Sequence, residues 1–158
     1  MKITMLTVGK TDRDWVRNGM EIYIDRLRHY TSFALVEIPE LKKVSALSRE
    51  QIKAKEGELI LKNIRPADDV ILLDEHGKEY SSVEWSGVLN AKISGGSPHD
   101  IVFVVGGAYG FSKEVYDRCN SMVSLSRMTF SHQMVRAIFV EQLYRAFTII
   151  KGEPYHHE

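Results

Sequence analysis

One cysteine, four prolines and no surplus of either charge are what this chain has least of, and each scarcity excludes something. Cys119 alone cannot close an intrachain disulfide, so a stapled secreted scaffold is excluded and a cytoplasmic setting is expected. Lysine and arginine number 21, as do aspartate and glutamate. That balance lacks the basic excess of dedicated nucleic-acid binders, although it leaves room for a local patch. Lys10, Arg13 and Arg17 cluster, as do Arg26 and Arg28, but Asp12, Asp14, Glu21 and Asp25 are interleaved with them, as on a solvated helix face. No apolar run approaches a membrane span, and Met1-Lys2 leads straight into a strand pattern, so neither a membrane partner nor a signal peptide is expected. His29, His76 and His99 are isolated and His156-His157 is an adjacent pair, which gives no metal-ligand spacing. There is no GxSxG, no P-loop, no internal repeat and no flexible linker.

What is present is a repeated switch between strand and helix periodicity across 158 residues, enough for one domain with a proper core. Strands are expected at 2–8, 33–38, 70–73, 101–105 and 122–125. Helices are expected at 13–29 (capped by Asp12 or Asp14, with Trp15, Met20, Ile24 and Leu27 inward), at 49–64 behind Ser48, from Ser81 or Ser82, after Ser112, and at 132–151. Residues 40–47 read as loop, 74–78 as the turn that closes the third strand, and Gly95-Gly96-Ser97-Pro98 as a helix break. Five β-α units in succession predict a single α/β domain over 1–158, with a mainly parallel sheet of five or six strands and helices on both faces.

Candidate chemistry concentrates in the last third. Gly106-Gly107-Ala108-Tyr109-Gly110 follows a buried strand and precedes a capped helix, so its backbone can approach a nucleotide. It is not GxGxxG, and taken alone it suits a tight structural turn equally well. Leu125-Ser126-Arg127-Met128-Thr129-Phe130-Ser131-His132 follows the next strand, and Ser131 suits the N-cap of the last helix. The positive end of a helix dipole disfavours an added proton, so an imidazole in a first helical turn is suited to accept one, which makes His132 a candidate base. Met134, Val135, Ala137, Ile138, Phe139, Val140, Leu143, Tyr144, Ala146, Phe147, Ile149 and Ile150 cover most of the final helix, interrupted by Gln133, Arg136, Glu141, Gln142, Arg145 and Thr148. Such a helix is buried on more than one side, either within one subunit or in a symmetric dimer.

Met1–Lys10, Lys55-Glu56-Gly57, Val105-Gly106-Gly107, Leu125–Gln133, Glu141–Phe147 and Pro154-Tyr155-His156 occur in an order and spacing that resembles the ribosomal RNA large subunit methyltransferase H family, small bacterial enzymes of the SPOUT class. The resemblance implies a C-terminal trefoil knot and a homodimer with its active sites at the subunit interface. It further implies transfer of a methyl group from S-adenosylmethionine, without a metal, to N3 of pseudouridine 1915 in helix 69 of 23S rRNA, on the assembled 70S ribosome. Carried onto this chain, Leu73, Gly106, Leu125, Ser126, Arg127, Met128, Thr129 and Phe130 would hold the cofactor. His132 and Arg136 would be catalytic, and Tyr155 and His156 would meet the target base. Two positions depart from the family pattern: Ser131 stands where proline is usual, and His157 where arginine or lysine is.

Overall fold

A computed structural model describes residues 1–96 and 99–157, so Ser97 and Pro98 of the expected helix break and Glu158 of the tail lie outside the described residues. The elements are β1 (Lys2–Val8), α1 (Asp14–Leu27), β2 (Ser32–Ile38), a 3-10 turn (Val44–Ala46), α2 (Arg49–Lys62), β3 (Asp69–Glu79), α3 (Ser82–Ser94), β4 (Ile101–Val105), α4 (Lys113–Arg118), β5 (Ser121–Ser124) and α5 (Met134–Ile150). The five strands lie in the order β2-β1-β4-β3-β5, and every pairing is parallel.

Alternation along each strand feeds two cores, one on each face of the sheet. Ile3, Met5, Ile71, Phe103 and Val105 pack with Met20 and Leu27 of α1, Leu89 of α3, and Phe139 and Leu143 of α5. Leu6, Val8, Val70, Leu72, Val102 and Val104 point the other way, against Ile60 of α2 and Val115 of α4. Helices therefore cover both faces, as expected. Ser48 and Ser81 each form a reciprocal capping box, with Gln51 and Glu84, and Ser112 caps α4 through the Val115 N–H.

Four expectations are corrected. The residue before α1 is Arg13, with no side-chain cap, and Asp14 is the first helical residue. Trp15 is 61% exposed, and Val16 takes its place inward. The buried set 16, 20, 24, 27 keeps helical spacing, and Trp15 lies about 100° out of that stripe. The turn proposed at 74–78 is an excursion within a longer β3: both Leu73 and Lys78 pair with Val123, and pairing with β5 resumes at Lys78, directly after Gly77. A Cβ at Gly77 would sit 2.7 Å from the backbone of Met122 and Val123, so only glycine fits that return. Finally, α5 begins at Met134 rather than His132. Its polar interruptions are not all outward, because Arg136 and Thr148 are fully buried.

Candidate active site

The carboxyl ends of β3, β4 and β5 open into a cleft of about 810 Å3. Parallel sheets place their ligands at such ends. Leu73, Val105 and Val123 form its floor, the loop from Gly106 to Phe111 one wall, and the segment after β5 the other. Arg49, Glu50 and Lys53 of α2 stand at the rim, with the Arg49 guanidinium 5.2 Å from the Tyr109 ring centroid.

The glycines of the first wall are explained by close approach. A Cβ at Gly106 would lie 3.1 Å from the Phe111 ring, and one at Gly107 would lie 2.8 Å from both carboxylate oxygens of Glu56. Gly110 has φ +83° and closes the turn by donating its N–H to the Gly107 carbonyl at 3.2 Å. Beneath Gly107, Glu56 Oε1 is buried and has no hydrogen-bond partner. Burial, helped by the Glu40 charge, pushes its carboxyl above the ordinary carboxylate range.

The second wall is loosely tied. Among the described residues, 126–130 makes no backbone–backbone hydrogen bond outside the strands. It is held by side chains instead: Ser126 Oγ accepts from the Met128 N–H at 3.0 Å, and Thr129 Oγ1 donates to Glu75 at 2.7 Å. Met128 is 78% exposed. Between the walls, Asp74 accepts from the His76 N–H at 2.8 Å and from the Tyr116 hydroxyl. Burial alone would raise Asp74, but these bonds and the His76 ring hold it below its ordinary value, while Tyr116 is pushed up by burial and by this carboxylate.

Of the twelve residues expected at the site, Leu73, Gly106, Leu125, Ser126, Met128, Thr129, Phe130 and His132 line this one cleft. Arg127 does not. Its side chain is 87% exposed and reaches Glu79 at 3.5 Å. His132 lies in the turn preceding α5, where Ser131 Oγ accepts from the Met134 N–H at 3.0 Å, as a cap would. A hydrogen bond thus stands where the related pattern has proline.

Arg136 is placed elsewhere, which corrects the expectation that it faces a substrate. It is wholly buried: Nε donates to the His132 carbonyl and Nη2 to the Val8 carbonyl, both at 2.9 Å. Nη1 donates to the Gly9 carbonyl at 2.9 Å and to Thr11 Oγ1 at 3.0 Å. Tyr155 and His156 also leave the cleft of their own chain. The Tyr155 hydroxyl donates to Glu141 at 2.9 Å, its ring packs 4.8 Å from that of Tyr144, and His156 Nδ1 lies 3.0 Å from Arg145. Asp74, read from the sequence as a turn residue closing the third strand, lines the cleft, as do Arg49, Lys53 and Tyr116, which sequence reasoning missed; Glu56, noted only as part of the resemblance, lies beneath Gly107.

An all-parallel sheet whose carboxyl-end loops offer glycine backbone and a sparsely bonded segment beside a histidine is a setting suited to an extended ligand held by main-chain groups. The chain belongs to the SPOUT methyltransferase family: the family described as "Predicted SPOUT methyltransferase" matches residues 1–156. Membership implies the C-terminal knot. Among its relatives, the chain is 52% identical over 157 residues to a "Ribosomal RNA large subunit methyltransferase H" of Christiangramia forsetii, covering 99% of each. It is 51% identical over 158 residues to the protein of the same description from Bacteroides fragilis, and 52% identical to that from Porphyromonas gingivalis, covering 100% of both chains in each case.

Proposed function

We propose that this methyltransferase uses S-adenosylmethionine to methylate N3 of pseudouridine 1915 in helix 69 of 23S rRNA, on the assembled 70S ribosome, and that it acts in the cytoplasm as a homodimer. The observation that carries this reading is the convergence of Leu73, Gly106, the segment 125–130 and His132 on one cleft of about 810 Å3. The relatives matched over their full length, described as ribosomal RNA large subunit methyltransferases, support ribosomal RNA of the large subunit as the substrate class.

The residues present fit the cofactor. A Cβ at Gly106 or Gly107 would press on Phe111 or Glu56, and among the described residues the main chain of 126–130 makes no backbone–backbone bonds outside the strands. Leu73, Gly106, Leu125, Ser126, Met128, Thr129 and Phe130 would hold it, with Arg127 contributing main chain only. When bound, S-adenosylmethionine supplies an electrophilic methyl group on a sulfonium. The chain's own task is to align the base and to remove the imide proton from N3. His132 is the candidate acceptor of that proton, worth about 10²–10⁴ in rate. Alignment supplies much of the remainder.

The dimer completes the site in this reading. Tyr155 and His156 follow α5 and fold back against its Glu141 and Arg145, away from their own chain's cleft, and a second subunit would bring a tail to it. A formal net charge of zero and a chain filled by one methyltransferase domain favour recognition of a shaped particle over free RNA.

The decisive experiment deletes the gene and compares all rRNA and tRNA nucleosides by mass spectrometry. Loss of one N3-methylpseudouridine from 23S rRNA, restored by the gene, is the expected result. An unchanged rRNA profile with a lost tRNA mark would assign a different SPOUT target, and no lost mark would assign a non-catalytic, cofactor-binding regulator. Purified protein should methylate 70S particles from the deletion strain and leave naked 23S rRNA nearly unmodified.

A further inference from the structure

A guanidinium buried to 0% exposure demands an explanation, because among the described residues only Glu37, 3.6 Å away, is a carboxylate within ion-pair distance. Burying an ion is costly, and a packed apolar side chain of similar volume is often the more stable choice. What a buried arginine offers is geometry: a rigid planar fork of donors at fixed angles. Here the fork has two sets of targets. On one side are the Val8 and Gly9 carbonyls, where β1 ends, and Thr11 Oγ1; on the other is the carbonyl of His132 alone.

The neighbouring residue repeats the pattern. Gln133, nearly buried, donates to the Lys10 carbonyl at 3.0 Å and accepts from the Asp12 N–H at 3.0 Å. The turn that carries His132 is thus gripped at two consecutive residues by the end of β1 and the loop after it. His132 itself lines the cleft. The other charged groups around Arg136 are Asp12, Glu40 and Arg17, and none of them is within ion-pair distance of it.

We propose that Arg136 is a positioning residue for the transfer: supported by Gln133, it holds the His132 turn against the end of β1 and so sets where the imidazole stands in the cleft. The inference rests on His132 being the proton acceptor. It replaces a direct role for Arg136 with one exercised through its neighbour's main chain.

The test is a double-mutant cycle, read as single-turnover methyl transfer to 70S particles from the deletion strain at saturating S-adenosylmethionine. Arg136→Lys keeps the charge and loses the fork. It should slow transfer by about 10–100-fold, as misplacement by roughly an ångström does. Affinity for S-adenosylhomocysteine, measured by calorimetry, should stay within about threefold, since the cofactor walls are untouched. His132→Ala should be slow, and His132→Ala with Arg136→Lys no slower than His132→Ala alone. Gln133→Ala, a milder cut in the same staple, should show the same non-additivity, and it decides the matter if Arg136→Lys does not fold. Losses that multiply in the double variant would overturn the proposal, as would a wild-type rate in both staple variants or a fall in cofactor affinity that matches the rate loss. If His132→Ala alone transfers at the wild-type rate, the proton-acceptor reading falls and takes this one with it. A slow His132→Ala beside fast staple variants removes only the positioning role.

Discussion

The two sides of the cleft are built on opposite plans. At the turn before α5, side-chain donors and acceptors are matched: Arg136 makes four hydrogen bonds and Gln133 two, all to partners at the end of β1 or within the turn. Along the two facing walls the plan is the reverse: among the described residues, Glu56 Oε1 beneath the glycine loop is buried without a partner, and 126–130 on the opposite wall has no backbone–backbone bonds outside the strands. Buried main-chain groups are nearly always paired, so a segment with few internal partners is suited to taking them from a ligand. The contrast separates two requirements of a transferase. The group that handles a proton must be fixed in advance, whereas the wall that wraps a cofactor must keep its hydrogen-bonding capacity free.

The sharpest way to break the contrast is to unpair the matched side. Arg136→Met should cost about 3–5 kcal/mol of stability, read as the shift of the urea midpoint, because it strands the carbonyls of Val8, Gly9 and His132. A loss below about 1 kcal/mol would mean that water or another donor replaces the fork.

On the open side the effect should fall on binding rather than on folding. Gly107→Ala places a Cβ against both Glu56 oxygens. Affinity for S-adenosylhomocysteine should drop at least about tenfold, equivalent to about 1.4 kcal/mol. Shortening the opposing side chain in Gly107→Ala with Glu56→Ala should recover part of that loss. No recovery would show that the glycine is needed for its own conformation, not for the carboxylate beneath it.

Asp74 belongs to the matched kind although it lies on the cleft floor, and it gives the contrast a pH axis. Its folded-state pKa is lowered, so its stabilising contribution is complete above the ordinary carboxylate range and is lost as pH falls through the folded value. Asp74→Asn should cost about 1–2 kcal/mol at neutral pH, with the gap to wild type closing in urea titrations as pH falls below about 4. Glu56 should behave with the opposite sign. Its pKa is raised, so its contribution is complete below the ordinary range and is lost as pH rises through the folded value; Glu56→Gln should therefore gain stability relative to wild type at neutral pH.

The smallest effect is expected at Met128, which is 78% exposed. Met128→Ala should leave the urea midpoint within about 0.5 kcal/mol.

Much of this architecture was legible in the sequence because it is local. Strands buried on both faces read as short apolar runs, and Ser48, Ser81 and Ser112 stand directly before the helices they cap. The resemblance located most of the cleft through contiguous segments. What escaped depends on partners far along the chain. Asp74 to Gly77 has turn composition, and nothing nearby reveals that β5 receives the chain again afterwards. Arg136 on an otherwise apolar helix reads as a functional cation, since its three acceptors around the end of β1 are more than 120 positions away. Glu56 and Gly107 lie within a recognisable pattern, yet their mutual contact joins α2 to the loop after β4 and leaves no periodic trace.

The staple between Gly9 and Arg136 spans 127 positions, and that span sets a timetable. Closing so long a loop carries an entropy cost that only the assembled core can offset, so the bonds at the His132 turn form late in folding. During synthesis β1 emerges first and waits for the last helix before its final carbonyls find the guanidinium. A chain interrupted before residue 132 carries all five strands and both walls of the cleft, yet it lacks the residue proposed to accept the proton. On the role proposed for His132, the site is therefore completed only once α5 has docked against β1.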